Sequence, residues 1–288
     1  MKAQLDRDVK LGVIEKVPSG TDTTWCHRMI IVLKKDGTPR WTVNFQPLNE
    51  FSFRQTHHCD SPFRQATSVP EKTYKTVLDA WNGYHSVALN PECRHMTTFI
   101  TNWGRYWYVT MPQGYKSVGD AYTERFDRIV NDVKDKTKCV DDSLLWSNTL
   151  EEAFFRTCEY LTLTGKNGII MNPGKFVFGR QEVEFAGFVI GKDTVKPSAK
   201  MLEAIEKFPK PKTITDVRAW FGLVNQVSPF FAARPALQLF RELLKAPATT
   251  KKIYWDENLG KLFMESKKTI VEEVMNGIQT FSMLRPTL

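Results

Sequence analysis

The feature that most constrains this chain is a pair of adjacent carboxylates, Asp141-Asp142, set between apolar runs. Cys139-Val140 precede the pair and Leu144-Leu145-Trp146 follow it, so Lys138 to Trp146 reads as strand, tight turn, strand. Most Asp-Asp pairs are ordinary turn or surface residues. In a hairpin with buried strands, however, two like charges are costly unless a cation sits on them. A third carboxylate, Asp79, ends another apolar run, Tyr74 to Asp79, which reads as a short buried strand. A strand end and a hairpin turn can meet at one edge of a sheet, so Asp79, Asp141 and Asp142 can converge. Such oxygen clusters suit Mg²⁺. Two ions roughly 3.5–4 Å apart stabilise the attacking and leaving oxygens in phosphoryl transfer.

The surrounding pattern predicts how that edge is built. Met29 to Leu33 and Arg40 to Phe45 read as a hairpin around the turn Lys34-Lys35-Asp36-Gly37-Thr38-Pro39. Thr97 to Thr101 and Tyr106 to Met111 read as a second hairpin. After Pro112-Gln113-Gly114, the residues Tyr122, Phe126, Ile129, Val130 and Val133 recur at helical spacing, with Ser117 as the expected cap. Thr149-x-x-Glu152 is a capping box that opens a second helix running toward Gly165. Strands are expected near Lys175 to Phe178 and over Val183 to Ile190. The order, one strand, an inserted hairpin region, then α-β-β-α-β, predicts the α+β class with a ferredoxin-like antiparallel sheet covered on one face by helices. Beyond Lys192 the chain turns basic and helical, with Ile214 to Val227 as its main helix.

Charge narrows the partner. The net charge is +8, and Gly191 to Lys252 carries twelve Lys+Arg against five Asp+Glu. A local excess of this kind points to a polyanion, the alternative being a solvated surface. No stretch of 18 apolar residues exists, so no membrane span is expected, and the polar first residues do not form a signal peptide. The 5 cysteines are odd in number and scattered, which predicts reduced thiols inside a cell. His57-His58-Cys59-Asp60 invites a zinc reading. Adjacent side chains diverge on most backbones and no second ligand pair follows, so zinc is not expected.

Three segments carry a resemblance: Leu78-Asp79-Ala80-Trp81-Asn82-Gly83-Tyr84-His85, Met111-Pro112-Gln113-Gly114-Tyr115 and Val140-Asp141-Asp142-Ser143-Leu144. They resemble consecutive motifs of reverse transcriptases, most of all the gypsy-type group of long-terminal-repeat retrotransposons. Asn172 to Phe176, Phe185 to Phe188 and Ala219 to Leu223 look like the next motifs, in order and at suitable spacing. The resemblance implies a right-hand polymerase with fingers at 1–53 and 87–117, palm at 54–86 and 118–193, thumb at 194–250, and 251–288 starting a connection toward an absent ribonuclease H domain. It implies RNA-directed DNA polymerase activity on RNA and DNA primer–templates with dNTPs and two Mg²⁺ ions, for which Mn²⁺ can substitute. By the same likeness, Asp79, Asp141 and Asp142, with the backbone of Ala80, hold the metal, and Lys175 acts as acid toward pyrophosphate. Lys34, Lys35, Arg40, Ala80, Tyr84, Gln113 and Gly114 bind the nucleotide. Cys139, Val140, Phe185, Ala186, Gly187, Gly222 and Gln226 contact primer and template.

Departures from the pattern are Asn44 where relatives commonly carry Asp, Gln46 where they carry Arg, and Cys139 where an aromatic is usual. With no protease or integrase motif, the chain reads as a piece of a longer polyprotein. The likeness places it in the cytoplasm, in retroelement particles, with a nuclear stage and a homodimer left open. Two rivals are a non-catalytic nucleic-acid-binding remnant and an RNA-dependent RNA polymerase.

Overall fold

The computed structural model describes residues 1–33, 37, 39–81, 83–230, 253, 255, 257–276 and 279–280. Lys34, Lys35, Asn82 and residues 231–250 of the expected thumb lie outside the described residues.

The central sheet is built from β4 (Tyr74–Asp79), β7 (Lys136–Cys139), β8 (Asp142–Ser147) and β9 (Val177–Arg180), in the order β7-β8-β4-β9. Every neighbouring pair in it is antiparallel. This is the ferredoxin-like order expected from sequence. Successive residues of a strand point to opposite faces, and this sheet uses both. Leu78 and Leu145 face α4 (Val118–Val130) and α5 (Leu150–Lys166), where they meet Tyr122, Phe126 and Tyr160. Val77 and Leu144 face the other way, into a larger core. Burying each such side chain contributes about 1.5–3 kcal/mol relative to exposure. The Thr149 capping box forms as expected, with Glu152 N–H donating to Thr149 Oγ1 at 3.2 Å. Ser117 does not cap α4. Its hydroxyl instead donates to Phe53 O at 3.3 Å and accepts from Gln55 N–H at 3.1 Å, tying down the segment that leads to α3 (Pro62–Thr67).

Both expected N-terminal hairpins join one mixed sheet. Its strands are β1 (Ile14–Lys16), β2 (His27–Leu33), β3 (Pro39–Val43), β5 (Phe99–Thr101) and β6 (Gly104–Tyr108), ordered β1-β6-β5-β2-β3. The pair β2–β5 is parallel. Phe45, Phe99 and Tyr108 fill its core, together with Leu5 from α1 (Lys2–Lys10) and Leu48 from α2 (Gln46–Phe51). The first element, α1, had no sequence signal of its own, because Leu5 is its one buried side chain.

The segment Val183 to Ile190 corrects the expectation of one strand. It is a hairpin, β10 (Val183–Phe185) and β11 (Phe188–Ile190), because Ala186 and Gly187 take φ of +50° and +88°. With β12 (Thr194–Pro197) and β13 (Gln279–Thr280) these strands form a third sheet. Lys175 likewise falls in a short 3₁₀ turn, Pro173–Lys175, before β9 begins at Val177; the Asn172 side chain accepts from Gly174 N–H at 3.0 Å and holds that turn. Behind the third sheet stand α6 (Ala199–Glu206), α7 (Ile214–Val227) and α8 (Glu257–Asn276). The bounds of α7 are those expected, and its Thr213–Asp216 capping box sets its start. Trp220, Val224, Phe185 and Phe188 share the large core with Val77 and Leu144. Among the described residues no helix is long and apolar enough to cross a membrane.

Candidate active site

The β4–β8 register sets Asp79 opposite Asp142. The turn between β7 and β8 holds Val140 and Asp141, and Ala80 N–H donates to Asp141 O at 2.9 Å, so the end of β4 and the turn are stitched together. Lys175 Nζ lies 2.6 Å from Asp79 Oδ2. The three carboxylates thus gather at one sheet edge with a lysine among them. Burial raises Asp142 to about 6, helped by the hydrogen bond that its protonated form gives Asp79 and by the Asp79 charge. Burial also raises Asp141, and the Asp79 charge adds to this; Tyr122, Lys138 and Lys175 oppose it.

Asp141 Oδ1 and the Tyr122 hydroxyl are both buried without completing a hydrogen bond of normal geometry. They lie against Gly83: a Cβ there would stand 2.4 Å from the Tyr122 hydroxyl and 2.8 Å from Asp141 Oδ1. Gly83 is therefore required by close approach. Gly83→Ala is expected to push Tyr122 or the carboxylate aside and to destabilise the fold by about 1–3 kcal/mol, the usual cost of overpacking. Thermal melts of wild type against variant check this. A variant that melts with wild type would show that the site gives way freely.

Do these residues fit divalent cations? Among the described residues no three His, Cys, Asp or Glu side chains already form a cage. The donor set nevertheless suits a hard cation: coupled carboxylates, a buried Asp141 oxygen whose nearest polar neighbour is the Tyr122 hydroxyl, and an ammonium group resting on Asp79. The Lys175 side chain is 62% exposed, so it can leave that position without disturbing the core.

The raised Asp142 has a consequence for stability without metal. Its folded value of about 6 lies above the ordinary 3.8, so folding takes up a proton between the two. The associated stability is present below the lower value and is lost as pH rises through the upper one. In a chelator, Asp142→Asn should therefore melt higher than wild type at pH 7.5, with the gap closing toward pH 5 (pH values of roughly one unit either side of the transition). A gap independent of pH would remove Asp142 as the source.

Several of the remaining expected residues line two separate cavities, and Asp79, Asp141 and Asp142 line neither. Arg40 donates to Gln113 Oε1, and both line a cavity of about 420 Å³ with Trp41, Trp81 and His85. Tyr84 and Val140 line another of about 250 Å³, with Lys116 and His57. The Tyr84 ring stands edge-on to Tyr122, centroids 5.4 Å apart. Gly114 has φ +97°, a backbone conformation that favours glycine; a Cβ there would meet Val43 O at an ordinary 3.4 Å. Cys139 is half-buried, and burial lifts its thiol to about 11. Phe185 needs correction as a primer contact: its ring is 2% exposed, inside the core, so only the backbone turn at Ala186-Gly187 is presented. Gly222 and Gln226 sit one turn apart on the exposed face of α7, opposite Trp220 and Val224.

A family model described as "Reverse transcriptase (RNA-dependent DNA polymerase)" matches residues 28–190, which include all three carboxylates, Tyr84, Gln113 and Lys175. The chain belongs to this reverse transcriptase family. The retrovirus-related Pol polyprotein from transposon gypsy of Drosophila melanogaster is 22% identical over 241 residues, covering 82% of this chain and 23% of the polyprotein. The enzymatic polyprotein of Cauliflower mosaic virus (strain CM-1841) is 25% identical over 260 residues, covering 88% of the chain and 36% of that protein. The chain thus spans well under half the length of these relatives. Among solved structures, a foamy viral protease-reverse transcriptase in complex with ds DNA superposes with TM-score 0.82 at 18% identity, over 94% of this chain and 47% of that one. A second, in complex with RNA/DNA hybrid, gives 0.77 at 19% identity, over 96% and 37%. These neighbours share the reverse transcriptase fold.

Sequence reading missed three participants. Gly83 enters the sequence pattern only as a member of the Leu78 to His85 segment, and Tyr122 only as part of a helix's apolar stripe. Lys138 was read only as the start of a strand. Its signal was present: a charge flanking the apolar Cys139-Val140 run in a strand expected to be buried.

Proposed function

We propose that this chain is the polymerase part of a retroelement reverse transcriptase, an RNA-directed DNA polymerase that extends a primer by two-metal nucleotidyl transfer. One observation carries the reading: within the family-matched sheet, the strand register sets Asp79 against Asp142, with Asp141 adjacent and a cation, Lys175, already on Asp79. Bound there, two Mg²⁺ ions, or Mn²⁺, would lower the pKa of the primer 3′-hydroxyl and neutralise the leaving pyrophosphate. The side chains of Asp79, Asp141 and Asp142 would hold them, with the Ala80 backbone beside. On this reading Lys175, held as an ammonium by its contact with Asp79, would leave that carboxylate when metal binds and serve as the acid toward the departing pyrophosphate. Arg40 and Gln113 would receive the nucleotide, with Tyr84 under its sugar. On this reading the mixed sheet is the fingers, the central sheet the palm, α6 and α7 belong to the thumb, and α8 to the start of the connection. Primer–template as the partner is supported by the duplex and hybrid bound to the structural neighbours.

The test is extension of oligo(dT) on poly(rA) by the purified chain, with Mg²⁺ and separately with Mn²⁺. Template-dependent incorporation of dTTP is expected. No incorporation with either metal, from protein that is folded, would overturn the proposal.

A further inference from the structure

Lys138 stands in β7, three residues before the first carboxylate of the catalytic hairpin, and its side chain is 5% exposed. A lysine is almost never this buried unless its charge is paired. Its ammonium group meets Asp127 Oδ1 of α4 at 3.0 Å and donates to Val140 O at 3.3 Å, and it lies 4.8 Å from the centre of the Phe126 ring. Asp127 turns its other oxygen to His57 Nε2 at 2.7 Å. His57 in turn is fixed through its backbone N–H, which donates to Asp120 Oδ1 at 3.2 Å, also on α4. A continuous polar chain therefore runs from the 52–61 segment, across α4, to the carbonyl of Val140.

Val140 is where that chain acts. Its φ is +55°, a left-handed conformation that a β-branched residue seldom adopts. Such backbone strain persists only where the surroundings over-determine it. On one side of the turn, the pairing of Asp142 with Asp79 and the bond from Ala80 N–H to Asp141 O fix the outgoing strand. On the other side, Lys138 holds the Val140 carbonyl. Releasing that carbonyl lets Val140 relax toward an ordinary conformation and rotates Asp141, the next residue, out of place.

We propose that Lys138 is a positioning residue: braced by Asp127 and His57, it tethers the Val140 carbonyl, maintains the strained turn, and so presents Asp141 to a divalent cation. This rests on the reading of Asp141 as a metal-binding carboxylate. Lys138→Met keeps the length of the side chain and removes both the charge and the tether. The full chain is titrated with Mn²⁺, with free Mn²⁺ followed by electron paramagnetic resonance, and steady-state extension is measured in parallel. Lys138→Met is expected to weaken Mn²⁺ binding and to lower kcat by about tenfold each, equivalent to about 1.4 kcal/mol. The Arg40–Gln113 cavity is untouched, so the loss should fall mainly on kcat and less on the KM for dTTP. Lys138→Arg should restore most of both losses.

A folded Lys138→Met protein with wild-type Mn²⁺ affinity would overturn the proposal, even if its melting temperature fell, because the lysine would then be a structural cation only. If Lys138→Met does not fold, Asp127→Asn and His57→Gln carry the test. Each loosens the brace and should weaken Mn²⁺ binding by about threefold; unchanged affinity in both would overturn the proposal as well. Asp141→Asn separates this inference from the one beneath it. If wild-type Mn²⁺ binding survives that change, the two-metal reading itself fails. If binding depends on Asp141 and not on Lys138, only the tether fails.

Discussion

Asp141→Asn is expected to abolish primer extension while leaving the sheet intact. The amide matches the carboxylate in shape, so Ala80 N–H keeps its bond to the Asp141 carbonyl and the turn keeps its path. What is lost is a negative charge where cations must gather. Removing a comparable electrostatic group from an active site typically costs about 10²–10³ in kcat. The protein should not suffer in stability, because burial and the Asp79 charge already disfavour the ionised Asp141. Its melting temperature in chelator should equal or exceed that of wild type. Asp79→Asn should be equally inactive, and it also releases Lys175 from its ion pair. Activity of either variant above about a tenth of wild type would sink the two-metal assignment.

Tyr84→Ala should change which sugar the enzyme accepts. The ring follows Gly83 in the 3₁₀ turn Gly83–Ser86, and the Gly83 backbone lies against Asp141 Oδ1. A nucleotide whose triphosphate meets the carboxylate edge must therefore bring its sugar near this ring. Tyr122 stands edge-on against Tyr84, so the ring cannot swing away at no cost. A 2′-hydroxyl would have to share space with it, and well-packed sites resist such overfilling by about 1–3 kcal/mol. That corresponds to roughly 5- to 150-fold discrimination. The quantity to measure is kcat/KM for dTTP over that for UTP on one template. The ratio should fall toward unity in Tyr84→Ala and hold in Tyr84→Phe. An unchanged ratio in the alanine variant would make Tyr84 a packing residue.

Sequence reading and structure part company at identifiable places. Where one segment's pattern determines its own geometry, the reading holds. The apolar run ending in Asp79 is a strand with those bounds, Thr149 starts its helix through the expected capping box, and Ile214–Val227 is a helix with the expected bounds. The reading fails where a distant partner decides. Ser117 follows a sequence rule for caps, yet Phe53 and Gln55, more than sixty residues away in the chain, claim its hydroxyl. Phe185 sits in a motif associated with nucleic acid, yet its alternation with Val183 turns it into the core of a third sheet. The contacts of Lys138 with Asp127, and of Gly83 with Tyr122, come from packing β7 and the Tyr84 turn against α4. No local pattern encodes them, although a lone charge in a buried strand is a reason to look for one.

The order in which the site is assembled matters for a chain made from its N-terminus. Asp79 meets its first in-register carboxylate only when β8 has docked, and meets Lys175, 96 residues further on, later still. Pairings so far apart form slowly, since the loop between them must be closed before they repay the cost. Until Lys175 arrives, Asp79 and Asp142 face each other with no cation on Asp79, and of the three carboxylates Lys138 acts only on Asp141. Any divalent cation in the surrounding solution would relieve that crowding. In the metal-free chain that relief comes from Lys175, whose arrival at Asp79 is the closing step of this sheet edge.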